Sequence, residues 1–472
     1  MRPPHAFLHE VAQKAILTSP EVKSKWHNLK AAEHEIDFAR GGFLPKVDVT
    51  AGTGYERLKQ PPATTTSSFH RNGLTLTLNQ MLFDGFATYR DVRRLDKARL
   101  VRYYELLDAS ENTALEAVKA YFDVMRFRFM LDIAEDNYIQ HRATFEQMMR
   151  RVQSGVGRRV DLEQAASRLA LAEVNLTTEE ANLHDVTARY QRLLDEMPPK
   201  VLIPSASLTK GFPKSSMDAI ATLYQSNPAL LAAQENVESA THDLSARRAA
   251  FSPRVDFRAR RELTSNYTGL NADRVNEVAE VVLTYNIFNG GSDLARSRQY
   301  VERKHIAADL RDKACRDTRQ TLLIAFNDVK RLAEQVSAQN RQVDLLQKTR
   351  DAYRDQYNVG QRTLLDLLDT ENELMSARRS AINSDVDLSL AYLRTHAGMG
   401  TLLKFMGLQK MEVDEPAADE LSSLDLRQVC SPEGVTLENV SRDALNARAM
   451  ALIEAAKPAT PPAGMTPGGL AR

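Results

Sequence analysis

A pattern that returns once, about 205 residues further on, limits this 472-residue chain to very few architectures. Ser19-Pro20 comes back as Asn227-Pro228, and 25 residues after each proline stand Pro45 and Pro253, within Phe43-Leu44-Pro45 and Phe251-Ser252-Pro253. Val47-Asp48 comes back as Val255-Asp256, Leu82-Phe83-Asp84-Gly85 as Ile287-Phe288-Asn289-Gly290, and Gly155 with Asp161 as Gly360 with Asp366. Five landmarks in one order, at offsets of 205 to 208, make the chain a tandem duplication. Whatever the first half folds into, the second must repeat.

Each half opens with a helix of about 30 residues, capped by Ser19 or Asn227 with proline at the first helical position, where its missing N–H costs nothing. Gly41-Gly42, or the Ser252-Pro253 step, ends it. Two strands follow. Val47, Val49, Ala51 and Thr53 alternate with polar or small residues, as do Leu74, Leu76 and Leu78. In the second half Val255, Phe257 and Ala259 are followed by Ala279, Val281, Leu283, Tyr285 and Ile287. A period of two puts one apolar row on one face, over roughly 10 to 13 residues, enough to cross a bilayer when tilted. Gln60 to Phe69, with its Pro61-Pro62 and Thr/Ser run, reads as an exposed loop tip.

Next come two 68-residue stretches, Phe86 to Gln153 and Gly291 to Asn358. As helices they would be on the order of 100 Å long, too long for a compact domain. Leu322, Ala325, Val329, Leu332, Val336, Gln339, Val343 and Leu346 step by 3 and 4, and the seam runs on through Arg350 and Tyr353 to Tyr357. Val118, Phe122, Met125 and Phe129 do the same in the first half. Gly155 and Gly360 read as hairpin tips, with Thr363 as cap of the helix that follows. The return helices are Asp161 to Glu196 and Leu365 to about Ala397. The domain reading is 1–197 for the first repeat, 198–216 for a Pro-rich linker, 217–408 for the second repeat and 409–472 for a mobile tail.

Charge balance, 62 Lys+Arg against 62 Asp+Glu, argues against a nucleic-acid binder. No apolar run of eighteen exists, so a membrane span would have to be a β-barrel. Cys315 and Cys430 lie far apart, one in a helical pattern and one in the tail, and a structural disulfide is not expected; neither metal spacing nor a nucleotide or hydrolase motif is present, and no cofactor is implied. Four strands cannot close a barrel, which needs about eight, so several chains would have to share one.

Asp366 and Asp369, three apart, lie on one helix face, which spacing alone reads sooner as a solvated surface than as a site. Val359-Gly360-Gln361-Arg362-Thr363 followed by Asp366-Leu367-Leu368-Asp369 closely resembles the periplasmic tip motif of the TolC family of outer-membrane channels. The two strand-to-helix corners, marked by Phe83 with Gly85 and Phe288 with Gly290, carry the same resemblance, which covers roughly Leu8 to Leu408. It implies a mainly α, α+β fold: tandem helical hairpins in a trimeric α-barrel, with four strands per chain in a shared 12-stranded membrane β-barrel. It implies Asp366 and Asp369 as the constriction, with Arg362, Tyr357 and Asp161 holding the tip closed and Arg362 partnering Asp161. It implies a homotrimer in outer-membrane lipid, a periplasmic adaptor, and an inner-membrane ABC or proton-driven transporter that supplies the energy. Leu8-His9-Glu10-Val11-Ala12 is similar to the opening of the mature family helix, so only a leader is missing, which a misplaced start codon would explain. The segment Asp37 to Asp48 is most similar to members serving type I protein secretion. A small-molecule efflux duct is the alternative; a cytoplasmic coiled-coil scaffold would have no use for the strands and corners.

Overall fold

The computed structural model describes residues 5–59, 66–203, 208–267, 272–434 and 440–455. The chain divides into two units, residues 1–432 and 433–472. In the first, β1 (His5–Phe7) leads into α1 (Leu8–Thr18) and α2 (Pro20–Arg40). The hairpin β2 (Lys46–Leu58) and β3 (Ser67–Phe83), the long helix α3 (Ala87–Gln153) and the return helix α4 (Arg159–Leu194) complete the first half. A short strand, β4 (Val201–Ile203), pairs in parallel with β1. The second half repeats the order with α5 (Ser216–Ser226), α6 (Pro228–Arg248), β5 (Arg254–Ser265), β6 (Asp273–Thr284), α7 (Ser292–Asn358), α8 (Leu364–Met399) and a short α9 (Leu402–Met406).

The opening 30-residue helix of each half is in fact two helices, of 11 and 21 residues, broken at the Ser-Pro and Asn-Pro steps. A residue before proline is pushed to extended backbone, and Ser19 and Asn227 take ψ of 125° and 116°. Each still caps the helix after it, Ser19 Oγ accepting from Val22 N at 3.5 Å and Asn227 Oδ1 from Leu230 N at 3.1 Å. Gly41 keeps a right-handed conformation, so α2 tightens into a 3-10 turn over Gly41–Phe43 before stopping at Leu44-Pro45.

The four long strands form one antiparallel sheet in the order β2-β3-β5-β6, so β3 and β5 join the halves while β2 and β6 are left as open edges. Register places Val47, Val49 and Ala51 opposite Leu78, Leu76 and Leu74, and carries that mainly apolar face on through Ala259, Leu263, Val275, Ala279 and Val281, interrupted by the Arg261–Glu277 ion pair. The other face carries Asp48, Thr75, Thr77, Arg258, Arg260, Glu262 and Glu280. Among the described residues little covers the apolar side chains, and Val49, Val281 and Leu283 are each about two-thirds exposed (66%, 64% and 66%). Three sequence readings need adjusting. The strand β3 starts at Ser67, inside the expected loop, of which residues 60–65 lie outside the described residues. The strand β6 ends at Thr284, leaving Tyr285 and Ile287 beyond it. The stretch 198–216 is more than a linker, since it holds β4 and the first residue of α5.

The corners between strand and helix explain their own sequences. Gly85 has φ +69°, and a Cβ there would fall 2.4 Å from Ser252 Cβ, so both conformation and space demand glycine. Asp84 beside it accepts from Thr88 N at 2.8 Å and Thr88 Oγ1 at 2.6 Å, satisfying the start of α3. Asn289 does the same for Asp293 N at 3.4 Å, after which Gly290 and Gly291 both turn left-handed. Phe83 closes β3 and meets Phe86 edge-on at 5.6 Å, whereas Phe288 stands exposed beyond β6.

Between sheet and tips the helices build the main core, in which Ala12, Ile16, Leu29, Val118, Tyr121, Phe122, Tyr190, Leu390, Leu393 and Leu402 are all essentially inaccessible. The α3 stripe does not continue to Phe129, which is 48% exposed; Met130 takes the inward position and Ile133, Ala134, Asn137 and His141 follow it. The cause is periodicity, because a straight helix of 3.6 residues per turn drifts off a strict heptad. The α7 seam, by contrast, is buried or half-buried at every position from Leu322 to Tyr357 named above.

Two expectations about the C-terminal stretch are overturned. Residues 409–432 belong to the first unit and run across its helices. Cys315 of α7 and Cys430 form a disulfide, with Cα atoms 5.6 Å apart across 115 residues of sequence. Closing a loop of that order is worth about 4 to 5 kcal/mol by chain entropy. The second unit contains one described helix, α10 (Arg442–Ala455), with Ser441 Oγ accepting from Ala444 N at 3.3 Å and with every side chain exposed.

Candidate functional site at the helical tips

Both hairpin tips are built by the same backbone device. At the first, Gly155 has φ +78°, its N–H donates to Val152 O at 3.0 Å, and Val156 N donates to Arg151 O at 3.0 Å. At the second, Gly360 has φ +76°, with Gly360 N to Tyr357 O at 3.0 Å and Gln361 N to Gln356 O at 2.8 Å. These paired bonds satisfy the last carbonyls of a helix and need a left-handed residue between them, hence glycine in both. Nothing lies within 4 Å of a Cβ at either position, so conformation alone makes the demand.

The tips differ in how the next helix begins. Thr363 Oγ1 accepts from Asp366 N at 3.2 Å, while the Asp366 carboxylate accepts from Thr363 N at 3.2 Å and Thr363 Oγ1 at 2.8 Å. This capping box holds the Asp366 carboxyl below the usual carboxylate range, chiefly through the Thr363 hydroxyl, then its amide, with Arg362 adding to the effect. Asp161 occupies the matching third position of α4, but Arg158 stands where a threonine would cap and makes no side-chain cap.

Arg362 folds back over its own hairpin. Its guanidinium lies 4.3 Å from the Tyr353 ring centre, Nε donates to Gln356 Oε1 at 3.2 Å, and Nη1 stands 3.9 Å from Asp366 Oδ2. Among the described residues no ion pair joins it to Asp161 within the chain. The cation at the first tip is instead Arg151, whose Nη1 donates to the Tyr357 hydroxyl at 3.4 Å with the guanidinium 5.6 Å from the ring centre. Tyr357 is buried with Met148, Ala165, Leu364, Leu367 and Leu368, and that burial raises its pKa against the pull of Arg151; the nearby Asp161 charge also raises it. Asp369, half-exposed, accepts from Arg168 Nη2 of α4 at 2.5 Å. Each aspartate of the tip motif therefore has a partner, one in its own cap and one in the other hairpin.

Behind the tips lies a set of charged links that the sequence reading missed. Arg350 and Arg354 converge on the buried Glu371 at 3.2 and 2.7 Å, and Arg354 also donates to Gln140 Oε1 at 3.0 Å. Arg379 pairs with Glu179, whose carboxylate is fully buried and also accepts from Asn182 at 3.1 Å. Arg126 meets Asp387 at 2.7 Å. One signal was available: Glu371 stands on the apolar stripe that runs from Leu364 through Leu368 to Met375, and a charge on a buried stripe requires a partner.

The paired helical hairpins, the uncovered four-stranded sheet and these tips can be set beside known proteins. Residues 11–194 and 219–398, the two halves found above, match the family described as outer membrane efflux protein. The chain belongs to that family. The outer membrane efflux protein BepC of Brucella suis is 25% identical over 380 residues, covering 80% of this chain and 82% of its own. The alkaline protease secretion protein AprF of Pseudomonas aeruginosa is 23% identical, covering 82% and 83%. The CmeC outer membrane channel of Campylobacter jejuni shares the fold at 15% identity, with a TM-score of 0.75 over 86% of this chain and 87% of that one. As a family member this chain is an outer-membrane channel protein, with its helices extending into the periplasm, and the family is one of channels rather than enzymes. The sheet is the only described part suited to lipid, since no described helix is long and apolar enough to cross a membrane.

Proposed function

We propose that three copies of this chain form the exit duct of a type I protein secretion system, closed at rest by the links at its helical tips. The observation that carries the reading is the sheet, with apolar side chains exposed on one face and two unpaired edges, β2 and β6. Unpaired edges are not tolerated in lipid, and joining the β6 edge of one copy to the β2 edge of the next closes 12 strands in three copies. The long hairpins then continue the barrel as a tunnel, at whose far end Asp366 and Asp369 form the constriction. Links through Arg362, Tyr357 and Asp161, together with Arg151 and Arg168, keep the hairpins in contact. A periplasmic adaptor and an ATP-driven inner-membrane transporter supply opening and energy.

The likeness to AprF, a protease secretion protein, supports protein cargo, as does the segment Asp37 to Asp48 at the end of α2 and start of β2. The likeness to BepC, an efflux protein, favours a second reading in which the cargo is small and the transporter proton-driven. Deleting the gene and assaying both secreted surface protein and drug susceptibility separates them. Loss of a large exported protein with unchanged drug sensitivity is the expected result; drug hypersensitivity with normal secretion would overturn the secretion reading.

A further inference from the structure

We propose that residues 409–432, closed by the Cys315–Cys430 disulfide, form a belt that fixes the sheet-proximal part of α7 and thereby sets the pivot of the α7–α8 hairpin. The functional meaning of that pivot rests on the channel reading above; the belt itself does not.

The path of the segment is the first argument. Gln409 N donates to Gln13 Oε1 of α1 at 2.6 Å, and the Gln13 amide returns a bond to Gln409 O at 2.9 Å. The Trp26 indole of α2 donates to Glu412 O at 3.1 Å, and Lys97 of α3 donates to Glu420 O at 2.7 Å. Ser422 N donates to Glu235 of α6 at 2.8 Å. Leu426 and Cys430 are then buried with Ile220, Leu223 and Tyr224 of α5 and Leu322 of α7. At the end, the Tyr224 hydroxyl and Arg319 Nη1 both donate to Ser431 O, at 2.5 and 2.6 Å. Three helices of the first half and three of the second are crossed in turn. Apart from a 3-10 turn at Leu426–Gln428 the segment has no regular helix or strand of its own, so it is held by these bonds and by the packing of Met411, Val413, Leu421 and Leu426. Such a segment can peel away from its C-terminal side unless that side is anchored. The disulfide is the anchor.

Where the anchor falls on α7 is the second argument. Cys315 lies about a third of the way along α7, which runs from Ser292 at the sheet end to Asn358 at the tip. Around and just beyond it Ala307, Cys315, Leu322, Ala325, Val329 and Leu332 are buried, and after Leu332 no residue of α7 is buried until Tyr357 at the tip. Over that interval the seam is only half-buried within one chain, and it is reinforced by polar links: Arg350 and Arg354 to Glu371, and Gln347 accepting from Arg378 at 2.5 Å. Fully buried apolar contacts give no alternative arrangement, whereas a half-buried seam can part where water reaches Glu371 as its arginines leave. The helix is thus clamped up to about Leu332 and releasable beyond it, so movement of the hairpin hinges there. Disulfides persist in oxidising compartments, which the periplasm is.

The test is hydrogen exchange, read by mass spectrometry, on the assembled detergent-purified protein. The wild type, with and without reductant, is compared with Cys430→Ser and with the Cys315→Ser, Cys430→Ser double variant. Unreduced wild type should contain no thiol that alkylates after denaturation. Reduction of the folded protein, or either variant, should speed exchange at least tenfold over 409–432 and over 307–332 of α7, and change 340–358 little. Two alkylatable thiols in unreduced protein isolated from cell envelopes would overturn the belt, as would unchanged exchange over 307–332 once the disulfide is cut. Neither readout requires a pore, so a protein that failed to conduct would sink the channel reading and leave the belt standing.

Discussion

Arg168 and Asp369 link the two hairpins at 2.5 Å, and one stage further from the tip Arg379 and Glu179 link them again. The polarity alternates: α4 carries the cation in the first pair and the anion in the second. Sliding one helix along the other by the spacing of the pairs would set like charges opposite each other, so the pattern fixes register as well as contact. Arg168 and Asp369 are 32% and 48% exposed, which limits their pair to about 1 kcal/mol of stability. Arg168→Ala should therefore move the thermal midpoint little while raising the resting leak through the assembled protein several-fold. A leak equal to wild type would show that this pair does not hold the tip shut. The pairing itself was out of reach of the sequence, since its members are 201 residues apart and each is an ordinary helical charge. Asp366 was more legible, because Thr363 precedes it by three residues and a capping box is a local pattern. What local pattern could not supply was Arg151 in the place beside Tyr357.

Elements were legible wherever their limits are set by nearby residues. The expected Phe86 to Gln153 and Gly291 to Asn358 became Ala87–Gln153 and Ser292–Asn358, because glycine turns and heptad steps act within a few residues. The segment 409–432 and its disulfide were not, because an acidic segment with almost no regular structure shows its path only once six helices are in place around it. The short helix α9 depends on the same long-range assembly. Glu111 of α3 accepts from Leu402 N at 3.1 Å and Leu403 N at 3.3 Å, satisfying the first turn of α9 from across the core. Burial pushes this carboxyl up to about 7, outweighing the two backbone bonds, which act to lower it. Since the folded value lies above the ordinary 4.5, the fold holds more protons than the unfolded chain between those limits. The contribution is fully present below about pH 4.5 and is lost as pH rises through about 7, by at most about 3 kcal/mol. Glu111→Gln should flatten that part of the profile: the wild type loses thermal stability between pH 5 and 8 relative to the variant. Parallel profiles would mean that the carboxylate is solvated in the native protein.

At the scale of the whole molecule the chain is incomplete by itself. Among the described residues it has four strands with both edges open and apolar side chains largely exposed, and the constriction proposed above requires the tip carboxylates to be repeated around an axis. Duplication within the chain and assembly of several chains solve the same problem at two levels, supplying enough hairpins and strands to enclose a passage. Asp366 and Asp369, brought close in a narrow mouth, would attract cations and impede anions. The most direct test is single-channel recording in planar bilayers, with salt gradients to read ion preference, comparing the wild-type assembly with its Asp366→Asn, Asp369→Asn double variant. The account expects discrete cation-preferring openings whose preference, and whose block by multivalent cations, weaken in the variant. A folded, membrane-inserted oligomer whose ion preference is unchanged by the double substitution, or which never conducts even with Arg168 and Arg362 replaced by alanine, would contradict it.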